Sequence, residues 1–216
     1  FNINSISGNR VLEVNIDTKQ NLWVVTENGS VDKYNYITDQ FEHYKFVIVG
    51  VESTGKSTCA HNVAVHFQAT LATEYARDYL EEFGNEYDYE DFIKIANGQL
   101  IKEKKAESNK NNKITIFDTD FIVIYIWAKI VFNKIEPWII DRINEYKDRI
   151  YFVMSPDVAW LNDGLREYPD LEVRKNIHSQ YVELLDKLKF QYYIIEGNDH
   201  EAREKEVIAR ISRIMA

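Results

Sequence analysis

Lys45-Phe46-Val47-Ile48-Val49-Gly50-Val51-Glu52-Ser53-Thr54-Gly55-Lys56-Ser57-Thr58 decides the fold of this chain. Residues 45–49 are a short apolar run, suited to a strand covered on both faces. Gly50 to Ser57 then match G-x-x-x-x-G-K-[ST] at every fixed position, and Cys59, Val63 and Phe67 follow at helical spacing. Strand, glycine turn and helix in that order make a phosphate cradle. The glycines let backbone N–H groups turn inward, and the helix N-terminus adds positive partial charge at the same place. On this reading Gly50, Glu52, Ser53, Thr54, Gly55, Lys56, Ser57 and Thr58 form an ATP site. Lys56 reaches the β- and γ-phosphates, and the Ser57 hydroxyl holds Mg²⁺.

Downstream, β and α patterns alternate. A short strand near Leu71 to Thr73 leads into Glu74-Tyr75-Ala76-Arg77-Asp78-Tyr79. Asp88 or Glu90 can cap a helix with Phe92, Ile95, Ala96 and Gln99 on one face, and residues 109–113 break it. Strand Ile114–Phe117, a buried helix from about Phe121 and a helix with Pro137 in its first turn come next. Strand Arg149–Met154, a polar loop, a helix over Leu171–Leu188, strand Gln191–Ile195 and a closing amphipathic helix complete the chain. Five strands each followed by a helix predict βαβ units and a mainly parallel sheet.

Upstream, residues 1–44 have a different texture. Runs over 10–16, 21–26, 30–36 and 41–44 are separated by turn residues, among them Asn28-Gly29, a strong hairpin signal. These predict a small antiparallel meander, to which no activity is assigned. The stretch from Asn21-Leu22-Trp23-Val24-Val25-Thr26 to Asp39-Gln40-Phe41-Glu42-His43-Tyr44 resembles one blade of the propeller repeats of two-component sensor ectodomains. One blade cannot close a propeller, so a fusion, a truncated gene product or a chance match accounts for it. The expected division is a meander over 1–44 and a kinase-type domain over 45–216.

Across 216 residues, 26 Lys and Arg face 35 Asp and Glu, a formal charge of −9. That balance argues against a general binder of nucleic acid or of anionic membranes. The single Cys59 excludes an internal disulfide framework and a multi-cysteine zinc site. The longest apolar run, Phe121 to Phe132, is interrupted by Lys129 and is too short to span a membrane. Phe1 is not an initiator Met, so the chain reads as a fragment or processed form, and no signal-peptide pattern opens it. A cytoplasmic location is expected, and a homo-oligomer is left open but not indicated.

Phe117-Asp118-Thr119-Asp120 ends a strand with two carboxylates one residue apart, at the edge where ligands sit in parallel sheets. Asp118 is expected to order Mg²⁺ and Asp120 to take a proton from an acceptor hydroxyl. A helix N-cap is the alternative for one of the two. Trp160-Leu161-Asn162-Asp163-Gly164-Leu165-Arg166 follows the fourth strand. The loop from Trp160 to Asp170 is expected to be a mobile lid, flexible at Asp163-Gly164, that brings Arg166 to the γ-phosphate once both ligands are bound; a plain turn with a solvated Arg is the alternative. Arg77 could pair with substrate or form a surface ion pair, and Trp160, Tyr75 and Tyr79 could stack on a planar ring or sit in the core. His61 and His66 are five apart, without metal-ligand spacing, and are expected to be structural.

Residues 45–216 resemble the ribosylnicotinamide kinase domain of NadR-type NAD-biosynthesis proteins and its stand-alone relatives. The blocks that carry the likeness are residues 49–58, Glu74-Tyr75-Ala76-Arg77-Asp78-Tyr79, Ile95-Ala96-Asn97-Gly98-Gln99, residues 117–121 and Trp160-Leu161-Asn162-Asp163-Gly164-Leu165-Arg166. The resemblance implies a P-loop NTPase fold of the nucleoside/nucleotide kinase kind, an α/β structure with strand order 2-3-1-4-5. It implies ATP and Mg²⁺ as cofactors and a small nucleoside as partner, with phosphorylation of the 5′-hydroxyl of nicotinamide riboside. Lys56, Asp118, Asp120 and Arg166 would be catalytic, Ser57 and Asp118 would hold metal, and Glu74, Tyr75, Arg77, Asp120 and Trp160 would line the acceptor pocket. The upstream adenylyltransferase and the DNA-binding helices of the bifunctional members have no counterpart here, so those activities are not carried over. A nucleotide-dependent switch or assembly ATPase, or a kinase of another nucleoside, is the rival expectation.

Overall fold

The computed structural model describes residues 6, 10–27, 30–35, 40–41, 43–109, 113–146, 148–162, 164 and 166–215. The chain begins with β1 (Val11–Ile16), β2 (Leu22–Thr26), β3 (Val31–Asn35) and β4 (Gln40–Phe41), an antiparallel sheet in that order. Asp17 fixes the first corner. Its carboxylate accepts from the Lys19 and Asn21 backbone N–H groups at 2.9 and 2.8 Å, from Asn21 Nδ2 at 2.8 Å and from Trp23 Nε1 at 2.9 Å. Those donors hold it well below the usual carboxylate range. The Asn28-Gly29 turn and Thr38-Asp39 lie outside the described residues. The expected last run over 41–44 divides instead: Phe41 closes β4, and Tyr44 opens the next strand.

The second sheet is built from β5 (Tyr44–Gly50), β6 (Thr70–Ala72), β7 (Ile114–Asp118), β8 (Arg149–Met154) and β9 (Gln191–Ile195). All its pairings are parallel, and the order is β6-β7-β5-β8-β9, which is the expected 2-3-1-4-5 with the phosphate-loop strand in the middle. Helices α1 (Lys56–His66), α2 (Tyr75–Phe83), α3 (Tyr89–Ser108), α4 (Phe121–Trp127), α5 (Pro137–Asn144), α6 (Leu171–Leu188) and α7 (His200–Met215) cover it, and α4 runs on as a π-helical segment, Ala128–Phe132. Strand alternation divides the core. Val47, Val49, Phe117, Tyr151 and Val153 face Ile95, Ile122, Ile143 and Ile177 from α3 to α6; Phe46, Ile48, Ile116, Phe152 and Met154 face Val63 and Val207 on α1 and α7. A P-loop NTPase of the nucleoside-kinase kind is the fold.

Two joints position the site. Asp88 closes a capping box on α3, accepting from Glu90 and Asp91 N–H groups. The second joint concerns α2, which starts three residues after β6. Glu74, its N-cap, makes no side-chain cap bond; the Tyr75 N–H is instead accepted by Gln99 Oε1 of α3 at 2.9 Å. Gly98 makes that approach possible, since a Cβ there would lie 2.1 Å from the Tyr75 ring. Among the described residues, no helix is long and apolar enough to cross a membrane.

Candidate nucleotide and acceptor site

The phosphate loop joins β5 to α1. Gly55, the N-cap of α1, sits in the left-handed region at φ 81° with no side-chain cap, so the first N–H groups of α1 face the loop. Thr54 closes the turn, donating through Oγ1 to the Val51 carbonyl at 2.8 Å. Lys56 Nζ lies across the same loop, 3.0 Å from that carbonyl. Burial pushes the Lys56 ammonium below its ordinary value, against the pull of Glu74, Asp118 and Glu52. Behind the loop, Arg203 of α7 donates to the Thr54 carbonyl at 3.3 Å and the Ser155 carbonyl at 2.9 Å, and the His200 ring fills the space a side chain at Gly55 would need. Neither residue stands out in the sequence; each becomes visible only once α7 is folded against α1.

Asp118 ends β7 beside the loop, 5 % exposed. Its carboxylate takes the Ser57 hydroxyl, burial raises its pKa, and its Oδ1 is buried without a hydrogen-bond partner. A hydroxyl and a half-satisfied buried carboxylate side by side are the oxygen donors that Mg²⁺ takes alongside phosphate and water, so the residues fit the ion. Among the described residues no cluster of three His, Cys, Asp or Glu could hold a metal by protein ligands alone. Glu74, at the end of β6, faces the same space; burial first and then Asp118 push its carboxyl up to about 7.

The loop, from Gly50 to Thr58, is part of the lining of a cleft of about 440 Å³, within the range of small-molecule sites. Arg77 and Glu74 stand on one side, and Trp127, Ile130, Tyr168, Ile177 and Tyr181 make an apolar, largely aromatic wall. Sequence reasoning missed this wall. Val123, Ile126, Trp127 and Ile130 belong to the run read as buried core, and one side of that run faces the cleft. The Ile177–Tyr181 spacing on α6 was a usable signal for a helical face, though not for which space it borders.

Asp120 is a correction. It is fully buried, caps α4 through the Ile122 N–H at 2.9 Å, and accepts from Arg149 at 2.8 Å and the Tyr151 hydroxyl at 2.9 Å. With both oxygens engaged it does not line the cleft, and the N-cap alternative holds for it. Tyr75 likewise packs on α3, and buried Tyr79 donates to Asp91 at 2.7 Å. Trp160 donates to Glu52 and Arg166 to Ser53, so residues 160 and 166 are docked on the phosphate loop rather than open. Asp163 of the expected hinge lies outside the described residues. His61 and His66 are exposed.

A family model described as an AAA domain matches residues 45–203. The chain belongs to that family. The trifunctional NAD biosynthesis/regulator protein NadR of Escherichia coli is 30% identical over 172 residues, which are 78% of this chain and 42% of the relative; the Salmonella typhimurium protein is 27% identical over 174 residues with the same coverage. The chain therefore spans less than half the length of these relatives. Crystal structures of a NadR protein with NAD and AMP-PNP and with NR superpose at TM-scores of 0.66 and 0.67, with 22% and 23% identity, covering 79% of this chain and 49% of theirs. Thymidylate kinase from Ehrlichia chaffeensis superposes at 0.55 with 16% identity, over 79% of this chain and 99% of that one. In this AAA domain, Lys56, Ser57, Asp118 and Glu74 converge at the carboxyl ends of β5, β6 and β7, where ligands sit in open α/β sheets.

Proposed function

We propose that this chain is an ATP-dependent phosphotransferase acting in the cytoplasm on the 5′-hydroxyl of nicotinamide riboside, giving nicotinamide mononucleotide. The observation that carries the reading is the convergence of Glu74 and Asp118 on Lys56 at a complete phosphate loop, with Lys56 and Glu74 lining a cleft that has an aromatic wall. The NadR relatives, and the NR and AMP-PNP in NadR structures, support the same substrates. The loop N–H groups and Lys56 would hold the β- and γ-phosphates. Ser57 and Asp118 would hold Mg²⁺, which neutralises phosphate charge when bound. Glu74 would accept the proton of the acceptor hydroxyl as its oxygen bonds the γ-phosphorus and the bond to the ADP oxygen breaks. Arg77 would orient the acceptor, and Arg166 would lie against the charge that develops on the transferred group. Residues 45–216 would form this domain. Residues 1–44, apart from Tyr44, which opens β5, would be a separate antiparallel meander without activity.

The test is ADP release measured with a panel of nucleosides and without any. Release that depends on nicotinamide riboside is the expected result. Release that depends on another nucleoside moves the acceptor assignment, and release without acceptor establishes instead the hydrolytic switch.

A further inference from the structure

Glu52 occupies a variable position of the phosphate loop, where an ATP contact is the obvious role. Its carboxylate is engaged elsewhere. Oε1 accepts from Trp160 Nε1 at 2.9 Å and from the Tyr168 N–H at 2.7 Å, and Oε2 accepts from the Glu167 N–H at 2.9 Å. Next to it, Ser53 Oγ takes the Leu161 N–H at 2.9 Å and Arg166 NH1 at 3.0 Å. Two adjacent side chains of the loop thus hold both ends of a segment more than 100 residues away in sequence. Three N–H donors on one carboxylate are charge-assisted bonds, the strong class, and they bracket Arg166 on either side.

We propose that Glu52 is a positioning residue whose carboxylate latches the 160–168 segment onto the phosphate loop and so sets Arg166 in place for phosphoryl transfer. The latch is a statement about geometry; its effect on turnover rests on the phosphotransferase reading above. Glu52 acts through Arg166 and not on the nucleotide. Its removal should change kcat while leaving ATP affinity largely in place, because both oxygens of this carboxylate are engaged by Trp160, Glu167 and Tyr168, and on the reading above the loop's N–H groups and Lys56 hold the phosphates.

The experiment uses the whole chain with Glu52→Ala, Glu52→Gln, Arg166→Ala and the double variant Glu52→Ala/Arg166→Ala. Gln keeps the shape but turns a donor toward one of the three N–H groups, so it should weaken the latch with little loss of fold. Amide exchange at residues 167 and 168 and acrylamide quenching of Trp160, taken as the part of the emission that Trp160→Phe removes, read the latch directly, without catalysis. Both should rise in Glu52→Ala and Glu52→Gln, with thermal unfolding still cooperative. The kinetic arm should show kcat lowered about 10²-fold, as for misplacement of a catalytic group by about 1 Å, with Mg·ATP affinity nearly unchanged. In the Arg166→Ala background, Glu52→Ala should cost almost nothing more. Unchanged exchange and quenching overturn the latch. Raised exchange with unchanged kcat, a loss of ATP affinity alone, or full additivity with Arg166→Ala overturns the positioning role. If no acceptor supports turnover in the unaltered chain, the phosphotransferase reading fails while exchange and quenching still decide the latch.

Discussion

Glu74 is the residue whose charge state follows most directly from its place. Its ordinary carboxyl value of 4.5 is raised to about 7, first by burial and then by Asp118. Folding therefore tightens proton binding at this site. The stability tied to that proton is complete below about pH 4.5 and is lost as pH rises through about 7. Glu74→Gln should remove that part of the decline in the unliganded chain, and denaturant midpoints at about pH 5 and about pH 8 would measure it; an equal decline in both proteins would refute it. At the same scale, Arg166→Ala should lower kcat by about 10³-fold or more, as for other arginine fingers, with little change in ATP affinity in steady-state and binding measurements. The strand–turn–helix at the phosphate loop was legible from the sequence because Gly50, Gly55, Lys56 and Ser57 stand at fixed spacing; Glu52 and Ser53, at variable positions, were read as ATP contacts, and their side chains hold residues 160–161 and 166–168 instead. Asp118 was legible as a strand-end acid. Asp120 carried the same signal, and only its contacts with Arg149 and Tyr151 separate it from its neighbour.

At the scale of elements, the joint between α2 and α3 decides where Glu74 and Arg77 stand. Gly98→Ala would place a methyl group 2.1 Å from the Tyr75 ring, and either the ring or the start of α2 must move. We expect a loss of about 1–3 kcal/mol in stability, measured by urea unfolding, together with a raised acceptor KM and a smaller change in ATP KM. An equal rise in both constants would place the effect elsewhere. Most elements of the sheet were legible because each strand is a short apolar run bounded by turn residues and each helix has its own periodicity. Helix α2 was not. Its first N–H is satisfied by Gln99 of another helix, so no local cap announces it. The π-helical segment was hidden for a related reason: apart from Lys129, residues 121–132 are apolar, so their pattern marks no single face and leaves the hydrogen-bond step unspecified.

Over the whole molecule, one buried charge network ties the helical layer to the sheet. Arg149 at the start of β8 is fully buried and donates to Asp120 at 2.8 Å, Glu103 at 3.0 Å and Glu107 at 2.7 Å, while Arg142 of α5 donates to Glu103 and Glu107 at 3.1 and 2.9 Å. Arg149→Ala would leave buried Asp120 without its cation and Glu103 and Glu107 with Arg142 alone, and should cost about 3–5 kcal/mol, measured by the unfolding midpoint; a loss below about 1 kcal/mol would refute it. Nothing in the residue pattern announces this network, because its members come from four elements and are recognisable only as partners. The order of the sheet has a consequence in time. Strand β5 lies between β7 and β8, and its residue Lys45 pairs with Arg149, roughly 100 residues later in the chain. At about 5–20 residues per second of synthesis, the apolar run Phe46–Val49 waits about 5–20 s for its second neighbour to be made. During that interval, the strand bearing the phosphate loop is the edge of an unfinished sheet, and a newborn chain is most exposed to self-association just before Met154 emerges.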